Sequence, residues 1–268
     1  MKRIFLSLLI TLTAATISAT NYSKISDIAY KTNEKDAYTQ KQCRLDISYT
    51  DRTQKKPVIV WFHGGGLTSG DKDTPAELLE KDYTIVSVQY RMMQKVKITE
   101  IIDDAAAAIA WVFHNITKYG GDTTKIYVAG HSAGGYLTSM VGLDKKYLAK
   151  YGIDADRIAG LIPFSGQAIT HFEYRKQNGG SPFIPTIDDT APISHIRKDC
   201  PPILIISGDR EKELFGRYEE QAYFWRMLKL IGHADATLYE LDGFDHGSMC
   251  HPGYLLLLKF IESRQILN

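Results

Sequence analysis

The chain has 268 residues, of which 44% are hydrophobic and 24% charged, with 32 Lys and Arg against 31 Asp and Glu. That is about one large α/β domain of ordinary globular composition, long enough to bury a sizeable core. A net charge of +1, with no basic run beyond pairs such as Lys55-Lys56, lacks the charge signature of a nucleic-acid or membrane-surface binder. A neutral or weakly charged small molecule fits better as partner.

Lys2 and Arg3 precede an apolar stretch, Ile4 to Ile17, that is broken by Ser and Thr and followed by the small residues Ser18 and Ala19. This order predicts a signal peptide over 1–19, cleaved after Ala19, and a secreted or periplasmic mature chain over 20–268. The apolar run falls short of the ~20 residues that a membrane span needs, so no stable span is expected in the mature chain. Cys43, Cys200 and Cys250 are odd in number and have no metal-site spacing. Cys200 precedes one expected strand and Cys250 follows another, so small buried thiols are expected rather than a bridge between them.

The elements then follow in order. Leu45 to Tyr49 alternates and suits an early antiparallel edge strand. Val58 to Phe62, Thr84 to Tyr90, Lys125 to Ala129, Ile158 to Phe164, Ile203 to Ser207 and Ala236 to Leu241 are short continuous apolar runs, as strands buried on both faces require. Between them, Thr99 to Tyr119 carries Ile102, Ala105, Ala106, Ile109 and Val112 at helical spacing, ended by Gly120-Gly121. Residues 133–142, 217–231 and 253–266 read as helices too. Strands alternating with helices predict a mostly parallel, doubly wound α/β sheet. One stretch, 167–198, has no period and holds Gly179-Gly180, Pro182, Pro185 and Pro192. An excursion of that length inside a domain reads as a cap or binding loop.

The chemistry concentrates at strand ends. Gly130-His-Ser-Ala-Gly134 follows an expected strand and opens an expected helix, the setting in which a very tight turn forces a serine outward as a nucleophile. Ser132 is that serine. His63-Gly-Gly-Gly66 follows another strand, and the N–H groups of Gly65, Gly66 and Ala133 are the candidate oxyanion donors. His63 itself reads as a brace for the loop. His246, in Gly243-Phe-Asp-His-Gly247, is the candidate base, with His251 as a nearby rival, whereas His114 and His233 read as ordinary residues. An acid is expected between serine and histidine, after the penultimate strand, where Gly208-Asp-Arg-Glu211 offers Asp209 and Glu211. Asp209 stands where an Asp tends to bond its own backbone. Glu213 lies further along, where the turn is expected to be heading away from the site.

Within the aperiodic stretch, Phe172, Tyr174 and Phe183 are candidate substrate-lining residues, and His171, Arg175 and Lys176 are candidates for binding hydroxyls or a carboxylate. The competing reading has the aromatics simply packing the loop onto the domain.

These motifs, together with Tyr90-Arg91, Trp111-Val112, Tyr119-Gly-Gly-Asp122 and Pro201-Pro202, resemble the α/β-hydrolase superfamily over nearly the whole mature chain. The resemblance is to its HGGG-bearing esterases: the hormone-sensitive-lipase-like carboxylesterases and the feruloyl- and acetyl-esterase-like BD-FAE group. It implies an eight-stranded, mostly parallel sheet with a small cap from 167–198. It further implies hydrolysis of a small-molecule carboxylic ester, whether short-chain, carbohydrate-linked or aromatic, without a metal or organic cofactor. In the resembling esterases the acid lies three positions after the glycine, here Glu211, which completes an expected triad of Ser132, Glu211 and His246. An amidase, peptidase or formamidase on the same triad, and a non-catalytic binding protein on the same scaffold, are the rival readings.

Overall fold

The computed structural model describes residues 21–32 and 35–265; the expected leader lies outside them. In chain order the elements are β1 (Ser23–Ala29), α1 (Ala37–Gln42), β2 (Arg44–Tyr49), β3 (Lys56–Phe62), β4 (Thr84–Val88), α2 (Ile98–Asn115), β5 (Gly121–His131), α3 (Ala133–Leu143), α4 (Lys145–Ala149), β6 (Gly160–Phe164), α5 (Phe172–Gln177), β7 (Ile203–Gly208), α6 (Arg217–Leu230), β8 (Ala236–Leu241) and α7 (Cys250–Gln265). The strands form one eight-stranded sheet in the order β1-β2-β4-β3-β5-β6-β7-β8. β1–β2 and β2–β4 pair antiparallel, and every other pair is parallel.

The apolar runs become strands because the sheet is covered on both faces. Val58, Val60 and Phe62 of β3 face a core completed by Ile102 of α2, Leu137 of α3 and Phe224 of α6. Ile59 and Trp61, one residue out of phase, face a second core with Leu257 and Ile261 of α7. Successive side chains on a strand point to opposite faces, so a strand between two cores must be apolar at every position. α3 is buried along its whole length, as its Ala, Gly, Leu, Met and Val composition allows.

Two expectations need correction. Leu45 to Tyr49 is antiparallel but is not the edge, because β1 pairs outside it. β1 was missed because Ser23-Lys-Ile-Ser-Asp-Ile-Ala29 is largely solvated and carries no clean apolar period. A bulge at Asp27, whose N–H donates to Asp46 Oδ1 at 2.9 Å, interrupts its register and blunts the edge. The three cysteines are free, as expected, with Cys43 and Cys200 buried.

The turn after β4 is locked to α2 by a buried ion-pair cluster. Asp104, fully buried on α2, accepts from Arg91 Nε at 2.7 Å, Arg91 Nη2 at 2.8 Å and Lys31 Nζ at 2.6 Å. Removing Asp104 leaves Lys31 with Asp103 at 2.7 Å and Arg91 with Glu100 at 3.4 Å but takes away the buried carboxylate between them, and breaking a buried pair in this way costs about 3–5 kcal/mol. We expect Asp104→Ala to be destabilised by about that amount in a urea melt, at an unchanged slope; a loss below about 1 kcal/mol would mean that the cluster is solvated.

Candidate active site

The parallel strands β3, β5, β6 and β7 deliver their carboxyl ends to one edge of the sheet, where open α/β sheets bind ligands. Ser132 sits at the exit of β5, directly before α3, with φ 55° and ψ −113°. A non-glycine residue at positive φ is strained, and such strain persists only where its surroundings impose it. Here they do. A Cβ on Gly134 would lie 2.0 Å from the Phe62 carbonyl oxygen, so the first turn of α3 is pressed against the end of β3. The Ser132 N–H donates to the Phe164 carbonyl at the end of β6, at 2.8 Å. The serine is thus clamped from both neighbouring strands at a helix N-terminus, where the aligned peptide dipoles favour negative charge.

The glycine loop after β3 lies against this turn. A side chain on Gly64 would come within 3.5 Å of Ser132 Cβ. Gly65 follows at φ 110°, and a Cβ there would stand 2.0 Å from the Ser69 carbonyl oxygen. The Gly65 carbonyl accepts from the N–H groups of Thr68 and Ser69, at 3.0 Å each, which closes the loop into a tight curl. Gly64 therefore lies against Ser132, Gly65 and Gly66 continue the same loop, and Ala133 follows the serine in the chain. His63 braces the loop, as expected: it stacks on Tyr90 with ring centroids 4.4 Å apart, its Nδ1 lies 2.6 Å from the Gly64 carbonyl, and Nε2 pairs with Gln89. Burial lowers its pKa, which favours the neutral ring.

His246 arrives on the loop after β8. Asp245 shapes that loop by accepting from the N–H groups of Gly247 and Ser248. The Asp209 N–H, at the exit of β7, donates to the Phe244 carbonyl at 2.8 Å and fastens the loop to the sheet. The neighbours of Ser132 bracket His246. His131 Nε2–H donates to the His246 carbonyl at 2.7 Å, and Ser165, which follows Phe164, brings Oγ to 2.9 Å from His246 Nδ1. His131 is pushed down to about 4, first by burial and then by the nearby His246, so it stays neutral. His251, the rival base, is exposed and pairs with Glu77 at 2.7 Å. His233 is buried against the Cys200 carbonyl.

The expected acid is corrected. Glu211 is exposed, and its backbone N–H is bonded by Asp209 Oδ1 at 2.9 Å. The acid that meets the histidine is Glu213, whose Oε2 accepts from His246 Nδ1–H at 2.8 Å while Oε1 accepts from the Gly208 N–H at 2.9 Å. Its side chain is 1% exposed. The reason is a helical turn between the glycine and the acid. Both Lys212 and Glu213 donate N–H to the Asp209 carbonyl at 2.9 Å, so the chain doubles back and aims position 213 at the strand end. Asp209 serves that turn, accepting from the N–H groups of Gly243 at 2.8 Å and Glu211, which hold its pKa below the usual carboxylate range. Burial alone would raise the Glu213 pKa. The bonds from His246, Ser165 and the Gly208 N–H, with the His246 charge, more than reverse this and bring it to about 2.

The aperiodic stretch folds over this edge. Phe172 and Glu173, at the start of α5, would each lie within 3.8 Å of a side chain placed on Gly66. Phe172 packs on Phe215 with centroids 5.5 Å apart, and Phe215 on Phe183 at 5.3 Å. Phe183 is 70% exposed and Phe215 49%, leaving an open aromatic rim. Tyr174 lies apart from it, lining a groove of about 710 Å³ with Met93, Gln94, Lys97, Gln177 and Asn178. His171 and Arg175 do not reach the surface of the stretch. Both are buried, His171 well below its ordinary pKa, and Arg175 Nη2 is bonded to the Pro182 carbonyl at 2.6 Å. Lys176 is exposed and 3.8 Å from Glu173. No group of His, Cys, Asp and Glu that could hold a metal ion occurs among the described residues.

The sheet order, the strained serine between β5 and α3, and the histidine after β8 together define the architecture. The chain has the α/β-hydrolase fold. The BD-FAE family model matches residues 45–169, from β2 to the start of the aperiodic stretch. The chain is 27% identical over 220 residues to esterase LipC of Mycobacterium tuberculosis, a match covering 73% of this chain and 54% of LipC. It is 39% identical over 90 residues to the carboxylesterase NlhH of the same species, covering 32% of this chain and 28% of NlhH. The chain thus spans about half the length of LipC and, at 48%, of the probable carboxylic ester hydrolase LipM. Among solved structures, a truncated carbohydrate esterase from gut microbiota superposes with a TM-score of 0.73 at 19% identity, covering 91% of this chain and 97% of that one. Thermogutta terrifontis esterase 2 phosphoramylated by tabun superposes with a TM-score of 0.70 at 22% identity, covering 90% and 94%.

Sequence reasoning ranked Glu213 behind Glu211 and Asp209, and it passed over His131, Ser165, Arg217 and Phe215. Ser165-Gly166 at the end of β6 carried a usable signal, a small pair at the reactive edge of the sheet. Glu213→Gln should keep the fold and lose about 10³–10⁴-fold in kcat, while Glu211→Gln stays within about twofold of wild type. The reverse ranking in steady-state kinetics would restore Glu211. Because the Glu213 pKa is depressed when folded, its contribution to stability is present above its unfolded value of 4.5 and is lost as pH falls towards 2. The stability gap between wild type and Glu213→Gln in melts from pH 7 to pH 2 should close over that window.

Proposed function

We propose that the chain hydrolyses carboxylic esters through an acyl-enzyme on Ser132. The observation that carries this reading is the Glu213–His246 pair at 2.8 Å, placed at the sheet edge that also holds the strained serine. With Nδ1 committed to Glu213, His246 Nε2 is the nitrogen that takes the Ser132 proton and then gives it to the departing alcohol. Glu213 fixes the tautomer and stabilises the imidazolium as it forms. The N–H groups of Gly65, Gly66 and Ala133 take the charge that develops on the carbonyl oxygen. Water then repeats the sequence on the acyl-enzyme. The named activities of LipC, LipM and NlhH support the ester as the substrate bond.

For the substrate, we infer a small ester whose non-reacting part lies on the Phe172–Phe215–Phe183 rim or along the groove beside Tyr174. Exposed aromatic rings suit a planar or sugar ring, and the amides of Gln94, Gln177 and Asn178 suit hydroxyls. The carbohydrate esterase among the structural neighbours supports the carbohydrate-linked member of this class. We also propose that the chain is exported and cleaved after Ala19, on the strength of the leader pattern. The mature protein should begin at residue 20, and an N-terminal sequence that still begins at Met1 would refute this.

Ser132→Ala should lower turnover of p-nitrophenyl acetate by several powers of ten at an unchanged melting temperature. A folded variant retaining a tenth of wild-type rate would remove Ser132 as nucleophile. Shortening 172–183 should reorder the kcat/KM values for acetylated sugars, aromatic esters and butyrate esters more than it alters hydrolysis of p-nitrophenyl acetate. Equal losses on every ester would remove the binding role of the rim.

A further inference from the structure

We propose that Ser165 is a positioning residue of the hydrolase, a hydroxyl that completes a closed triangle with Glu213 and His246 and holds the imidazole in its working orientation. The inference rests on the acyl-transfer reading above and adds a group to it.

Ser165 follows the last residue of β6 and is completely buried. Its Oγ lies 2.9 Å from His246 Nδ1, the nitrogen that also bonds Glu213 Oε2 at 2.8 Å. The same hydroxyl bonds the Glu213 carboxylate. One arrangement of protons satisfies all three groups. The Ser165 O–H donates to the carboxylate, the imidazole N–H is shared between the carboxylate and Ser165 Oγ, and both acceptors face the nitrogen that carries positive charge when His246 is protonated. A ring held by one acceptor can pivot about that bond. A ring held by two on the same side cannot swing without breaking one of them.

Two further observations show that the position is enforced. Ser165 has φ 45°, a left-handed conformation that a side chain disfavours and that glycine would occupy at no cost. A strained residue kept beside a reacting group points to function. Its backbone is held at both ends: the Ser165 N–H donates to the Ile206 carbonyl at 2.7 Å, and the Ser165 carbonyl accepts from Nη1 of Arg217. Arg217 is 1% exposed, a fully buried guanidinium at the start of α6 that also acts electrostatically on Glu213. The next residue back, Phe164, holds the Ser132 N–H. One dipeptide at the end of β6 therefore fixes the nucleophile through Phe164 and the base through Ser165. The other charged or titratable groups acting on His246 are His131 from β5 and Asp245 on its own loop.

The test compares wild type, Ser165→Ala and Ser165→Gly. The glycine variant removes the hydroxyl while relieving the backbone, so it keeps the fold even where alanine does not. We expect both variants to lose about tenfold or more in kcat on p-nitrophenyl acetate with KM within about twofold, the size of one bond to a charged partner. The hydrogen-bonded Nδ1 proton of His246, read by proton NMR without substrate, should move upfield or exchange too fast to be seen in both. Melting temperature should be unchanged or raised in Ser165→Gly. The proposal is overturned if Ser165→Gly keeps kcat within about twofold of wild type, or if kcat falls while the Nδ1 proton resonance stays in place. A wild-type protein inactive on every ester would refute the acyl-transfer reading, and the NMR comparison would still decide whether Ser165 holds the ring.

Discussion

The site depends on one steric constraint, the near-collision of the first turn of α3 with the end of β3. A Cβ at Gly134 would sit 2.0 Å from the Phe62 carbonyl oxygen, so only glycine allows the approach. That approach forces Ser132 to φ 55° and throws its side chain out at the sheet edge. It also sets the glycine loop, because His63 and the three glycines are the continuation of the same strand β3. Ser132 and the expected oxyanion donors are thus fixed by one contact between two elements, the preorganisation that electrostatic catalysis requires. The strain at Ser132 is balanced by the surrounding core, where α3 is buried at every residue.

The electrostatics are arranged around a single charge that comes and goes. Glu213 is held ionised at about 2 despite burial, so it is ready to stabilise an imidazolium whenever His246 accepts a proton. His131, in contact with the same loop, is pushed to about 4 and adds no competing positive charge. Two histidines 4.7 Å apart therefore have different tasks. One, His246, has a carboxylate partner in Glu213. The other is buried without one, and its Nε2–H serves only as a donor to the His246 carbonyl.

Much of this was legible in the sequence, for identifiable reasons. Strands buried on two faces must be apolar at each position, and Val58 to Phe62 or Ile203 to Ser207 cannot be read otherwise. The Gly-His-Ser-Ala-Gly motif carries its own geometry, since the glycines record the close approach. The parts that were not legible depend on chain reversal or on contacts far apart in sequence. Glu211 and Glu213 are separated by two positions on one turn, and only the bonds from Lys212 and Glu213 to the Asp209 carbonyl decide which of them faces inward. β1 escaped notice because an edge strand with one solvated face needs no apolar run. His171 and Arg175 look like ligand-binding residues in a loop of polar and aromatic character, yet the loop folds in on itself and buries them. Phe215, two residues beyond the acid, entered the rim only because the same reversal brings it beside Phe172.

The central claim is that the fold activates one serine and no other. The most direct test is to treat the folded protein with a fluorophosphonate, digest it and locate the adduct by mass spectrometry. The account predicts a single modification, on the peptide containing Ser132, that disappears when the protein is denatured before treatment. An unmodified Ser132 peptide, or an adduct carried instead by Ser165 or a surface serine, would contradict it.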